Sequence, residues 1–564
     1  MSELSHELQQ KILQAHSTAS NPSAQRLIAF RNIGHLLKEQ ADRQEQNPYL
    51  IFYDDAGHRV EYTYREFFEE ACKAAHLLLS HGIRPGDRVA TVSFNHADVV
   101  VQYFAAFLLG AVVVPINLGE DDKRITFILQ NSGTRFAFVR SEFLQRIEAL
   151  HGQVPALDTV MQVGGSPDHR HPHYESELKR QPTSAPLHEA GLTDDALIVY
   201  TSGTTGLPKG VLLTQYNLMV DAMAITEWHG ISSDQRLMCV LPIHHVNGTI
   251  VTLMTPMYAG CGVVLNQKFH TDRFFERISI EKVSIVSVVP TLLQFLLHSN
   301  IAVEGYKLTH FRHIICGAGP LTVDLVQKFE QEFSIPVIHG YGLSETTCYS
   351  CFLPVDLPVE AHRFWLSQHG FPSIGVPLPV NEMAIHDPNG IACEEGVRGE
   401  IVIRGHNVMK NYFLNPEANE KAFTHGWFRS GDEGFFRYDE EGRMFFFITG
   451  RIKELIIRGG VNISPFEIDE VISGIPGVQA GIAVGFENDW YGEEVGAMVL
   501  LKPGTAISEE DILAACRKQL PYHKSPKVVL FGNELPVTST GKYQRGKCRD
   551  LFAPWKSVQF TPPK

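Results

Sequence analysis

One run of the chain restricts what can be built around it. Residues 200–211 read Tyr200-Thr201-Ser202-Gly203-Thr204-Thr205-Gly206-Leu207-Pro208-Lys209-Gly210-Val211, directly after the apolar segment Ala196-Leu197-Ile198-Val199. So many glycines and hydroxyls make a poor packed core. They suit a strand that ends in a phosphate-holding loop. Glycines let successive backbone N–H groups turn toward an anion, hydroxyls donate further hydrogen bonds, and lysine adds charge. The GxxxxGK[ST] spacing of a Walker A loop is not met.

A strand feeding such a loop calls for α/β surroundings, and the flanking sequence supplies them. Tyr64–His81 carries apolar residues at helical spacing and ends at Gly82. Strand patterns at Arg88–Val92, Phe136–Val139, Arg236–Leu241, Gly262–Leu265, Ser284–Val289, His313–Cys316 and Ile335–His339 alternate with helical ones such as Asp272–Arg277 and Thr291–Leu297. Near residue 375 the pattern shifts to short strands, Glu382–Ile385, Gly399–Ile403 and Met444–Phe447. A second shift at Thr449–Glu454 opens a compact piece: a helix from Pro465, strands at Ala480–Val484 and Glu494–Leu500, and a helix at Ser508–Gln519. The expected architecture is a large N-terminal α/β domain with a β-rich subregion, residues 1–450, and a small mobile C-terminal α+β domain, residues 451–564.

Composition narrows the partners. The formal net charge of −14 argues against nucleic acid, whose phosphates want basic surface. Val99–Ile116 is the most apolar stretch, but Gln102, Gly110 and Pro115 divide it into a buried helix and a buried strand, so integral membrane association is not expected. The N-terminus, Met1–Glu7, is acidic and lacks an apolar signal core; with nine scattered cysteines, the reducing cytoplasm is the expected compartment, and a monomer or homodimer the expected state. Cys348 and Cys351 have CxxC spacing without a second pair, which does not make a four-ligand zinc site. His169, His171 and His173 fall in a Gly/Ser/Pro-rich context that reads as a solvated loop.

Five further segments carry chemistry. Leu241-Pro242-Ile243-His244-His245-Val246-Asn247-Gly248 follows a strand and places imidazoles there. Cys316-Gly317-Ala318-Gly319-Pro320 reads as strand, small-residue turn and helix, a shape that lets a flat base approach backbone. His339-Gly340-Tyr341-Gly342-Leu343-Ser344-Glu345-Thr346 offers a ring, a hydroxyl and a hard carboxylate ligand. Trp427-Phe428-Arg429-Ser430-Gly431-Asp432 puts an aspartate after glycine, ordinarily a turn former. Pro536-Val537-Thr538-Ser539-Thr540-Gly541-Lys542 ends in a lysine on a polar loop.

In this order, along nearly the whole chain, these segments resemble the signatures of the adenylate-forming superfamily: acyl- and aryl-CoA synthetases, adenylation domains of peptide synthetases and beetle luciferases. The resemblance implies ATP, Mg²⁺ and coenzyme A as co-substrates and cofactors. It makes Thr201, Ser202, Gly203, Thr204, Thr205, Gly206 and Lys209 the phosphate loop. Gly317, Ala318, Gly319, Gly340, Tyr341 and Gly342 would line the adenine and acyl pockets, with Ser344 on the α-phosphate. Glu345 and Thr201 would hold magnesium, His245 would lie beside the carboxylate, and Asp432 would accept both ribose hydroxyls. Arg451 would serve the nucleotide, Lys453 falls on the hinge position, and Gly459-Gly460 would reach the active site in a second pose. Lys542 would be the catalytic lysine, with His245, Thr201 and Glu345 beside it. Ser344 departs mildly from the threonine of many relatives but keeps the hydroxyl. Gly399–Gly405 and Tyr412 also resemble the family and are assigned to scaffold.

The implied reaction joins a carboxylic acid to CoA through an acyl-adenylate, releasing AMP and pyrophosphate. Two other readings stand beside it. One is a freestanding adenylating enzyme that loads a phosphopantetheine carrier protein; the other is a nucleotide-binding regulator on an enzyme scaffold. The intact set Lys209, Glu345, Asp432 and Lys542 speaks against the regulator. For the acid, Cys316, Thr347, Cys348, Tyr349 and Cys351 favour an apolar or aromatic carboxylic acid over an amino acid, and the stretch 352–374 is a candidate wall.

Overall fold

Hydrophobic periodicity and helix caps set the elements that carry the site. The computed structural model describes residues 4–186, 190–201, 207–299, 301–537 and 543–561. The helix Tyr64–Ser80 begins with a Thr63/Glu66 capping box, and the chain leaves it through Gly82 in the left-handed region (φ +79°). The apolar stretch near residue 100 divides as read, into a helix Ala97–Leu109 and a strand Val112–Pro115, joined through left-handed Gly110. No helix among the described residues is long and apolar enough to cross a membrane.

Two sheets form the large unit. In the first, parallel strands Val112–Pro115, Arg88–Val92, Thr134–Arg140 and Thr159–Val163 adjoin an antiparallel hairpin, Asp195–Thr201 and Lys209–Thr214, which the short strand Asn411–Tyr412 extends. Thr201 pairs with Lys209 at the loop end of that hairpin. In the second sheet, Gly262–Asn266, Arg236–Cys239, Ile285–Val288, His313–Cys316 and Val337–Tyr341 run parallel. The small-residue turns after 316 and 341 therefore leave the carboxyl ends of neighbouring strands, the usual place for a ligand in such a sheet.

A four-stranded antiparallel sheet follows, Asn381–His386, Gly399–Gly405, Phe428–Tyr438 and Met444–Arg451. Gly431 takes a left-handed φ of +73°, but Asp432 lies within the long strand Phe428–Tyr438, paired with Arg451. The bulge between Glu433 and Gly434 absorbs the irregularity that reads as a turn in sequence. The 352–374 stretch forms a helix, Val359–Ser367, whose Trp365 stacks on Phe445 at 3.8 Å, so it braces this sheet.

The C-terminal unit has its own α+β cores on both faces of a five-stranded sheet. Its helix Pro465–Ser473 packs on the large unit. There the Glu470 carboxylate accepts from the Val323 N–H, at 2.7 and 3.1 Å, at the start of the helix Val323–Phe333.

Candidate active site

The hairpin Asp195–Thr201/Lys209–Thr214 presents Thr201 and Lys209 side by side; Ser202–Gly206 lie outside the described residues. The Thr201 hydroxyl donates to the Lys209 carbonyl at 3.4 Å. The Lys209 ammonium stands 4.5 Å from the centre of the Tyr412 ring. Burial pushes this ammonium below its ordinary range. Glu345 works against that shift, while Lys453, Lys421 and Arg451 add to it. Positive charge from Lys209, Arg451, Lys421 and Lys453 therefore converges here, as an anion site requires.

Glu345 belongs to the one-turn helix Ser344–Thr346 just after the strand Val337–Tyr341. Its carboxylate accepts from the Tyr412 hydroxyl at 2.8 Å, and its carbonyl accepts from the Met409 N–H at 2.8 Å. The turn after residue 341 and the segment 409–412, distant in sequence, thus meet at Glu345.

Tyr341 is buried, and its hydroxyl donates to Asp432 Oδ2 at 2.7 Å. Burial and the Asp432 charge hold that phenol protonated. Arg451 Nε lies 2.9 Å from Asp432 Oδ1, and Asp432 keeps Arg451 firmly cationic. Yet Oδ1 is buried and accepts no well-directed hydrogen bond among the described residues. Arg451 meets its charge while its lone pairs can still accept, so a vicinal diol donating to it would suit this corner, as a ribose requires.

The glycine turns are close-packed. A Cβ at Gly317 would lie 2.6 Å from the Tyr349 hydroxyl and 2.8 Å from the Gly340 carbonyl oxygen, and one at Gly342 would lie 2.0 Å from the Cys348 carbonyl oxygen. Ala318 (φ +62°) and Thr347 (φ +64°) adopt left-handed backbone without being glycine, the kind of strain that gathers at functional sites. Gly319 and Pro320 border a crevice shared with Pro290, Gln294 and Tyr543. Lys542 lies outside the described residues, but Tyr543, the next residue, lines that crevice together with Gln294.

The rings of His244 and His245 lie against each other, tilted by 50° with centres 4.4 Å apart. Burial pushes the His244 imidazole down to about 4, which keeps it neutral near pH 7. The segment then enters a π-helix, Asn247–Met254, which sequence reasoning did not foresee; such turns recur at functional sites.

Lys453 is exposed on the one-turn helix Ile452–Glu454. Gly459 (φ +56°) and Gly460 (φ +84°) form the tip of the hairpin Ile456–Arg458/Val461–Ile463, and the Gly459 N–H donates to the Tyr491 carbonyl of the same unit at 2.8 Å. They are not brought to the Lys209–Asp432 cluster in this pose. Cys348 and Cys351 are both buried free thiols. Near the histidine-rich loop, Glu148, Asp168 and His171 gather, but Arg170 pairs with both carboxylates, which satisfies them without a metal. Tyr412, read as scaffold, is the residue the sequence undervalued; nothing in its local spacing points to Lys209 or Glu345.

The AMP-binding enzyme family model matches residues 37–413, and the model for the AMP-binding enzyme C-terminal domain matches residues 467–542. A probable CoA ligase of Humulus lupulus, CCL9, is 32% identical over 515 residues, which cover 89% of this chain and 93% of that protein. Oxalate–CoA ligase of Arabidopsis thaliana is 33% identical over 497 residues, covering 84% and 90% of the two chains. Among solved structures, anthranilate CoA ligase AuaEII in complex with anthranoyl-AMP superposes with a TM-score of 0.84 at 25% identity, covering 94% of this chain and 98% of that one. The chain therefore belongs to the AMP-binding enzyme family and has the fold of its acyl- and aryl-CoA synthetases.

Proposed function

We propose how this chain, an ATP-dependent acid–CoA ligase that works through an acyl-adenylate, divides the chemistry among its residues. The observation that carries the assignment is the buried, under-bonded Oδ1 of Asp432 beside Tyr341 and Arg451, a fitted corner for the nucleoside of ATP. Tyr341, with Gly317, Ala318, Gly319, Gly340 and Gly342, lines the adenine. Thr201–Gly206 and Lys209 hold the β- and γ-phosphates, and Ser344 donates to the α-phosphate. Glu345 and the Thr201 hydroxyl are hard oxygen donors of the kind Mg²⁺ takes; that ion, when bound, offsets negative charge on the phosphates.

A carboxylate is already ionised near neutral pH, so the first half-reaction needs no general base. The site has only to align the carboxylate with the α-phosphorus and offset the charge that builds on the phosphoryl oxygens. His245 orients the carboxylate. Lys542 supplies the cation, and the docking of its neighbour Tyr543 beside Gly319 supports this. The unit 451–564 then turns about Lys453, withdrawing Lys542 and bringing Gly459-Gly460 toward the large unit 1–450. A thiolate attacks the acyl carbonyl and AMP leaves. Closure keeps water from the mixed anhydride in the meantime.

We take CoA as the thiol and an apolar or aromatic carboxylic acid as the substrate. Asp221 is the buried aspartate nearest the Tyr349 wall. It already accepts from the Tyr349 N–H at 3.3 Å and Asn407 Nδ2 at 3.4 Å, and burial holds its carboxyl well above the usual range, so it is a poor partner for an ammonium. Nine free cysteines, all but Cys393 buried, suit a reducing cytoplasm. The test is incubation with a panel of acids, ATP, Mg²⁺ and CoA, read as AMP and the mass of an acyl-CoA. Turnover only when a holo-carrier protein replaces CoA would move the acceptor to that protein.

A further inference from the structure

Tyr412 lies where the phosphate hairpin and the Glu345 turn meet, and the protein fixes it with unusual completeness. The short strand Asn411–Tyr412 closes the edge of the seven-stranded sheet against Lys209–Thr214, with Tyr412 opposite Val211. The flanking Phe413 N–H donates to the Gly210 carbonyl at 2.7 Å and the Lys410 N–H to the Leu212 carbonyl at 2.9 Å. Both main-chain groups of Tyr412 are held by one buried side chain. Its N–H donates to Asn419 Oδ1 at 2.7 Å, and its carbonyl accepts from Asn419 Nδ2 at 2.9 Å.

The ring so placed makes two contacts of opposite sign. Its face carries the Lys209 ammonium at 4.5 Å, and its hydroxyl donates to Glu345 Oε1 at 2.8 Å. Tyr49 and Tyr64 give their hydroxyls to the Leu253 and Cys261 carbonyls, and Tyr53 gives its own to the Glu281 carboxylate. What sets Tyr412 apart is that one ring joins a carboxylate to an ammonium.

We propose that Tyr412 is a positioning residue that couples the phosphate-binding lysine to the magnesium-binding carboxylate: its ring sets the Lys209 ammonium and its hydroxyl fixes which oxygen of Glu345 faces the metal. Oε1 is occupied by the phenol, which leaves Oε2 for a cation. This rests on the roles proposed above for Lys209 and Glu345.

Calorimetric titration of ATP into the full chain tests it without knowledge of the acid, at a series of Mg²⁺ concentrations and in EDTA. Tyr412→Phe keeps the ring and removes the hydroxyl. It should raise the Mg²⁺ concentration needed for tight ATP binding by about tenfold, the value of one charge-assisted hydrogen bond, and leave affinity in EDTA unchanged. Tyr412→Leu should also weaken ATP binding in EDTA, because the ammonium loses its ring. Tyr412→Phe placed on Glu345→Gln should add nothing to the effect of Glu345→Gln alone. A Tyr412→Phe titration that overlays the wild type, or effects of the two substitutions that simply add, would overturn the coupling. If Glu345→Gln itself leaves the Mg²⁺ requirement unchanged, the metal role fails, and the coupling with it.

Discussion

Asp432 has two carboxylate oxygens; among the described residues Oδ2 takes a well-directed hydrogen bond and Oδ1 an ion pair with Arg451. Its place within a strand pins its backbone, and the Tyr341 hydroxyl pins Oδ2, so Oδ1 waits in a fixed direction. Asp432→Asn keeps the shape and the Tyr341 contact but replaces an acceptor with an amide. It should lower kcat/KM for ATP by roughly 10- to 150-fold, the about 1.5–3 kcal/mol of a charged hydrogen bond, with KM for the acid unchanged. Steady-state kinetics with ATP varied checks this. At this scale the sequence was most informative. Glu345, Lys209, Tyr341 and Asp432 could be named from motif residues whose chemistry suits ATP, and the structure gathers the pairs Tyr341–Asp432 and Lys209–Tyr412–Glu345. Tyr412 was not legible as part of that group. Its role is created by a sheet edge that brings residue 412 beside residue 211 and by a turn at residue 345, neither of which local spacing encodes.

Elements carry the site through their ends. Strands His313–Cys316 and Val337–Tyr341 are neighbours in register, so the turns that leave them fall side by side. Alternating strand and helix patterns foretold this part of the fold, because buried parallel strands read as short apolar runs. They did not foretell the strand Phe428–Tyr438, where glycine and aspartate disguise a bulged strand as a turn, nor the π-helix Asn247–Met254, which shares its apolar pattern with an ordinary helix. The contact between helices Pro465–Ser473 and Val323–Phe333 was equally invisible, since it depends on how two units meet. Burial in that seam pushes the Glu470 carboxyl up to about 8; Asp469 and Asp324 push the same way and the Val323 N–H opposes them. Away from the seam the ordinary value is 4.5. The docked form therefore holds a proton that the undocked or unfolded form releases. Its contribution to stability is complete below about pH 4.5 and is lost as pH rises through about 8. Glu470→Gln mimics the protonated carboxyl. Thermal unfolding should give matching Tm values for variant and wild type near pH 5 and a higher Tm for the variant near pH 8.5; parallel pH profiles would contradict this.

At the scale of the whole molecule, two units with separate cores meet, and the chain crosses between them near Lys453, just after the Tyr341–Asp432–Arg451 corner. The composition shift at Thr449–Glu454 is where the sequence suggests a boundary, whereas the pose of the two units is a property of their surfaces. Lys542 and the Gly459-Gly460 hairpin are assigned to opposite halves of the reaction, which makes the halves separable. Lys542→Ala should slow adenylation by ~10²–10³-fold, the usual cost of losing one preorganised charge, and largely spare thioester formation from supplied acyl-AMP. Lys453→Pro, which stiffens the crossing, should show the opposite bias. Single-turnover assays of each half check the pair, and equal losses in both halves would argue against the assignment. The most direct measurement follows one oxygen atom. An acid labelled with ¹⁸O in both carboxylate oxygens is turned over with ATP and CoA, and the products are weighed. Attack on the α-phosphorus leaves one ¹⁸O in AMP and none in pyrophosphate. Label recovered in inorganic phosphate, with ADP in place of AMP, would mean that the acid is activated at the γ-phosphorus and would contradict the adenylate mechanism.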